Sequence, residues 1–200
     1  MEITEQQVQL LARIRAIPPA RRVLVPNRFG RDDVGRVATD ILRLRAESAN
    51  DILLMLPPRG NPTGALALAE LLKLPAEAPI IGVLCGITTR ATGSAMATLL
   101  VLQACTIRVI SRHAEIAPCR LEFDHTVSAF MFSGSDIQTA GALTTLEEDL
   151  EWITREHGTI LEQVAVRIGI SRDALETVLT SKPEYSAVEA VATGWGDAVI

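Results

Sequence analysis

The stretch Asp51-Ile-Leu-Leu-Met-Leu56 runs into Pro57-Pro58-Arg59-Gly60-Asn61-Pro62-Thr63-Gly64 and then into an Ala/Leu-rich segment ending at Lys73. An unbroken apolar run of strand length, closed by a proline pair, reads as a β-strand covered on both faces. Residues 62–73 read as a helix with Pro62 in its first turn. Buried strand, short turn and helix together make the βα unit of a parallel sheet.

The unit recurs on both sides. Upstream, Val23-Leu24-Val25 is a short apolar strand, and a helix over about 32–49 carries Val34, Val37, Ile41 and Leu44 at helical spacing. Downstream, 79–89 reads as a second buried strand, 93–104 as a very apolar helix and 106–110 as a third strand. An amphipathic helix over 5–17 precedes all of these and stops at Pro18-Pro19. After residue 110 the pattern changes. Residues 125–136 form an extended excursion with Val127, Phe130, Met131 and Phe132, followed by helices over about 146–157, 159–167, 172–180 and 187–193. The fold class is α/β, in one domain over 1–200 that includes an N-terminal helical segment at 1–19.

Composition narrows the function. Two hundred residues suit one domain, since domains run to about 100–150 residues. At 48% hydrophobic the chain can bury a core, and at 4% aromatic that core is built from Ala, Leu, Ile and Val. A formal charge of −5 argues against a dedicated nucleic-acid binder. Three cysteines do not make a disulfide scaffold. The acidic start MEITEQQVQL is no secretory signal, and no apolar run reaches the roughly 20 residues a spanning helix needs. The expectation is a soluble cytoplasmic protein with no nucleic-acid or membrane partner. Residues 164–179 scan like a helix-turn-helix, with Gly169 in the turn and Ser171 as cap. The second helix offers Arg172, Asp173 and Glu176, close to neutral, so a plain helical hairpin is the better reading.

Three blocks together resemble the Clp protease proteolytic subunit (ClpP) family of the ClpP/crotonase superfamily. The first is the strand 52–56 with the loop Pro57-Pro58-Arg59-Gly60, similar to that family's strand, Ser-Pro-Gly-Gly loop and helix. The second is Ala91-Thr-Gly-Ser94-Ala-Met-Ala-Thr-Leu-Leu100, then Ala104-Cys-Thr-Ile-Arg-Val-Ile-Ser-Arg-His-Ala114, similar to the nucleophile-bearing helix and the strands after it. The third is Ser186-Ala-Val-Glu-Ala-Val-Ala-Thr-Gly194 with Asp197, close to the family's closing signature. The resemblance covers about 20–200. It implies stacked ββα units with parallel strands, a helical handle over 125–158, and a self-compartmentalised serine-peptidase assembly working with an ATP-driven unfoldase of the AAA+ class.

A serine in the first turn of a helix sits where free backbone N–H groups and the positive end of the dipole converge, a place suited to an oxyanion. The resemblance assigns the nucleophile position to Ser94, the histidine position to Cys119 and the aspartate position to Val178. The first glycine of the substrate loop falls on Arg59, and the N–H groups of Gly60 and Ala95 become the oxyanion donors. One triad member of three is kept. A serine without a base is a weak nucleophile, and Val178 cannot orient an imidazole. The expectation is therefore a non-catalytic or weakly active subunit with no metal and no cofactor.

Other side chains could supply the base. His125, at the root of the excursion, is the candidate for a displaced base, with Asp124 or Asp136 to orient it. His113 reads as a surface residue, and His157 as a helix C-terminal cation. Lys73 and Lys182, the only lysines, stand at no expected dyad position. Cys119 has no paired histidine, while Cys85 and Cys105 read as core. Alternatives are an active serine peptidase with a displaced base, or a crotonase-type acyl-CoA enzyme, since Ala104-Cys-Thr-Ile-Arg108 resembles that family's strand equally well. The crotonase Gly-Gly-Gly stretch would fall on Met96-Ala97-Thr98, and the chain is short for that family. A structural ring subunit beside an active ClpP paralogue is the non-enzymatic class. The apolar excursion implies a homo-oligomer, a heptamer or a stack of two, with a trimer or hexamer as the crotonase-like alternative.

Overall fold

The computed structural model describes residues 4–27, 29, 31–86, 93–119, 158–181 and 183–200. In chain order the elements are α1 (Glu5–Ala16), a 3₁₀ turn (Pro19–Arg21), β1 (Arg22–Leu24), α2 (Arg31–Glu47), β2 (Ile52–Leu56), α3 (Pro62–Lys73), β3 (Ile80–Leu84), α4 (Gly93–Ala104), β4 (Ile107–Ile110) and β5 (Glu115–Ile116). Then come α5 (158–168), α6 (Arg172–Ser181), β6 (Tyr185–Ser186), α7 (Ala187–Ala192) and β7 (Ala198–Val199). Five strands form an all-parallel sheet in the order β1-β2-β3-β4-β7. A small antiparallel pair, β5 with β6, stands beside it. The fold is α/β.

The first four strands lie side by side in chain order. With right-handed crossovers this sends α2, α3 and α4 to one face of the sheet. Residues 52, 54, 56, 80 and 84 point into the large core that those helices cover. The opposite face carries Leu53, Ile81, Val83 and Val109, closed by Ile17 and by Leu10 and Ile14 of α1. Helix α4 is enclosed on every side, with Ala95 through Leu102 all at most 3% exposed. A helix apolar all round belongs inside a core. Gly82 lets the end of α4 seat directly on β3, because a Cβ there would lie 2.5 Å from Cys105 Sγ.

Strand β3 is shorter than the apolar run suggests. It ends at Leu84, and Gly86 takes φ +101, a left-handed turn that glycine adopts without strain. The strands β5, β6 and β7 were not legible, being only two residues each.

Parallel crossovers bring every helix C-terminus to the same sheet edge, where its last carbonyls lack intrahelical partners. Arginines close them. Buried Arg21 donates to the carbonyls of Leu44 (3.1 Å), Ser48 (3.4 Å), Asn50 (2.5 Å) and Asp51 (3.0 Å), holding the end of α2 and the entry to β2. Arg45 donates to Leu71 and Leu72 at the end of α3. Arg167 donates to Cys105 and Thr106 at the end of α4, both at 3.0 Å. Arg108, on β4, reaches the carbonyls of Arg167 (3.3 Å), in the last turn of α5, and Gly194 (2.8 Å), just past the end of α7. It is paired with Asp197 at 2.5 Å and bonded to Gln103 at 2.6 Å.

Burial acts to raise the Asp197 pKa, but hydrogen bonds from the side chain and backbone N–H of Arg108, with the charges of Arg108 and Arg167, hold it below the usual carboxylate value. A carboxyl lowered in the folded state contributes stability above its unfolded pKa and loses it as pH falls through the folded value. Stability should therefore drop as pH falls from about 4, and Asp197→Asn should flatten that acid limb in pH-dependent urea melts. An unchanged limb would refute the pairing as its source. Arg21→Met should cost about 3 kcal/mol by leaving four carbonyls short of a donor, and Arg21→Lys should recover little, since a point charge cannot span them. A loss in urea melts no larger than that of an ordinary surface substitution would overturn this assignment.

Candidate functional site

The carboxyl ends of β1 to β4, and the loops leaving them, are where open α/β sheets build ligand sites. After β2 the chain passes through Pro57-Pro58-Arg59-Gly60 to Asn61, whose side chain accepts from the Gly64 N–H at 3.1 Å and caps α3. After β3, Cys85 N–H donates to the Leu56 carbonyl at 3.1 Å, and Gly86 turns the chain off the sheet beside the ring of Pro58. After β4, Ser111 N–H bonds the Leu84 carbonyl, and a turn closed by Ala114 N–H on Ser111 leads into β5. Helices α3 and α4 thus begin side by side at one edge, with the positive ends of both dipoles there.

Ser94 is the second residue of α4, in the first turn, and Ala95 beside it is 1% exposed. One turn on, Thr98 is fully buried, and its hydroxyl has no hydrogen-bond partner among the described residues. Arg59 is half-buried, and Gly60 is buried. The need for glycine at 60 has a local cause. A Cβ there would lie 2.4 Å from Cε1 of Phe29, whose ring, itself wholly buried, is wedged under the loop from the β1–α2 connection. Phe29 carried no sequence signal, because the contact joins segments thirty residues apart.

Pairing of β5 with β6 ties the segment carrying Cys119 to the start of α7, with Ile116 opposite Tyr185. Cys119 is 1% exposed and belongs to the main core, together with Ala114 and Ile116. Val178, on α6, is half-buried and packs against the same core. The positions that resemble the histidine and the aspartate of the triad therefore carry a buried thiol and an aliphatic side chain. Neither can relay a proton from a hydroxyl as an oriented imidazole does. His113 is exposed, as expected for a surface residue. His125, the excursion at 125–136, Asp124, His157 and Lys182 lie outside the described residues, as does all but the last residue of the handle at 125–158.

Electrostatics add little reactivity. Burial pushes the Cys105 thiol up to about 12, against the smaller effects of Arg167 and Arg108, so it stays protonated. Burial also raises Cys85. Among the described residues no three His, Cys, Asp or Glu side chains come together to hold a metal, and no helix is long and apolar enough to cross a membrane. The helical hairpin of α5 and α6 is built into the core. Gly169 turns it at φ +79, Ser171 accepts from Ala174 N–H, and Leu175 and Leu179 are buried.

No family model matches this sequence, and no curated protein matches it.

The Phe29 wedge makes a measurable coupling. Gly60→Ala should destabilise by about 2 kcal/mol through overpacking, and the same change should cost clearly less in a Phe29→Leu background. Equal costs in a double-mutant cycle would show that Phe29 is not what Gly60 accommodates.

Proposed function

We propose that this chain is a ClpP-like subunit of a self-compartmentalised peptidase assembly that serves as a non-catalytic or weakly active component. The observation that carries the reading is the pair Cys119 and Val178. At the two positions where the family's proton relay would stand, one residue is a thiol sealed in the core and the other an aliphatic side chain. Ser94 keeps a place in the first turn of α4, where backbone N–H groups and the dipole favour a developing oxyanion. Oxyanion stabilisation without a base leaves a binding groove with little cutting power, because the serine is activated by its partner rather than by the hole.

The architecture is compatible with this reading: parallel strands in chain order, a buried nucleophile-position helix, and a second small sheet formed by β5 and β6. The assembly belongs to the proposal through the resemblance. A homo-heptamer or a stack of two, joined through the handle at 125–158, would work with an AAA+ unfoldase or an active ClpP paralogue in the cytoplasm, with a trimer or hexamer as the crotonase-like outcome.

A fluorophosphonate probe, which reports an activated serine, is expected to leave the chain unlabelled. Size-exclusion chromatography with light scattering is expected to give several times the chain mass. Labelling that vanishes in Ser94→Ala would establish a live serine with a displaced base and end the non-catalytic reading. A monomeric mass at micromolar concentration would remove the assembly. Thermal stabilisation by coenzyme A thioesters without labelling would favour the acyl-CoA class instead.

A further inference from the structure

Among the described residues, the face of the sheet opposite α2, α3 and α4 is covered by α1, through Leu10 and Ile14 and through Ile17 just after the helix. Beneath them Leu53, Ile81, Val83 and Val109 are at most 5% exposed, whereas no residue of α1 itself is buried. An all-parallel sheet is almost always covered on both faces. Here one of the two covers is a single helix lying at the surface.

The two ends of α1 are held unequally. At the C-terminal end Ile17 is buried, and Arg22 of β1 donates to the Ile17 carbonyl through Nε at 3.0 Å and Nη2 at 2.8 Å. That end is rooted in the sheet. Along the helix the side-chain tie is two-pronged: Arg13 Nε and Nη2 donate to the two carboxylate oxygens of Asp51, at 2.6 and 2.7 Å. Asp51 belongs to the fixed side, because its carbonyl is held by the buried Arg21. Arg13 is 45% exposed and Asp51 18%, so salt in solution screens the pair. Towards the N-terminus the hydrogen bonds of Thr4 with Gln7 and of Gln9 with Glu5 stay within the segment, and Val8 faces solvent.

A helix held in this way opens as one piece. The capping box of Thr4 and Gln7 satisfies donors of the first turn and opposes fraying from that end. Twelve residues are marginal as an isolated helix in water, so α1 is helical because it is docked. Release of Arg13 and of the two apolar side chains therefore melts it as a unit. The strands beneath keep their ladders and the larger core on their other face.

We propose that α1 is a salt-sensitive strap, rooted at Ile17 and latched by Arg13 on Asp51, which undocks as a unit and bares the Leu53, Ile81, Val83 and Val109 strip while the sheet stays folded. The strap sits on the opposite face of the sheet from α4 and does not rest on the ring-subunit reading.

Native-state hydrogen exchange of the whole chain tests this. Amides 9–16 are expected to share one protection factor, about tenfold or more below those of β2 to β4, and nearly independent of mild urea. Gly60→Ala, remote from α1, should lower protection in β2 to β4 and leave that of α1 unchanged. Arg13→Gln should lower the shared α1 factor about threefold at low salt, the scale of one exposed ion pair. Salt at about 1 M, where screening acts within about 3 Å, should do the same to the native chain and nothing further to Arg13→Gln. Protection of α1 equal to that of the sheet, a steady rise of protection from residue 9 to 16, or indifference to both Arg13→Gln and salt would each overturn the proposal.

Discussion

A parallel sheet built from crossovers sends the C-terminus of every crossover helix to one edge, and there the last carbonyls need donors that the helix cannot supply. In this protein guanidinium groups meet that need. Arg21 closes α2, Arg45 closes α3 and Arg167 closes α4, each reaching across from a different element. Arg108 extends the scheme to the ends of α5 and α7 and is itself fixed by Asp197. Planar, multi-donor cations suit this task, because one side chain can satisfy two or more carbonyls and oppose the negative end of a dipole. The position of each helix over the sheet follows from these clamps as well as from apolar packing.

The opposite edge of the sheet is organised differently. The N-termini of α3 and α4 stand together there, the first residues after β3 and β4 donate to the last carbonyls of β2 and β3, and Phe29 packs against Gly60 of the loop after β2. The positive ends of both helix dipoles therefore lie at this edge. The segment that follows β5 folds Cys119 into the core, anchored by the β5–β6 pair.

Much of the architecture was legible because its signal is local. The apolar run 52–56, the proline pair after it and the all-apolar segment 93–104 each announce their element, and α4 spans 93–104 as expected. Strand β3 is shorter than its apolar run, since Gly86 breaks it where apolarity alone does not. The two-residue strands β5, β6 and β7 had no readable period at all. At the candidate site the spacing to Ser94, Cys119 and Val178 could be read, but the burial of Cys119 could not, because it depends on a pairing between residues about seventy positions apart. Phe29 and the arginine clamps were invisible for the same reason. Their partners are a glycine's empty side and main-chain carbonyls, which no residue type advertises.

The sequence by itself determined the longer strands and helices, the parallel connection between them, and which residues stand at 94, 119 and 178. These are statements about residue identity and short-range periodicity. Tertiary structure alone decided which glycine makes room for which ring, which arginine ends which helix, and that the thiol at 119 lies inside the core. Each of those depends on distances between segments remote along the chain, and such distances exist only once the sheet has set its order and the helices have been clamped over it.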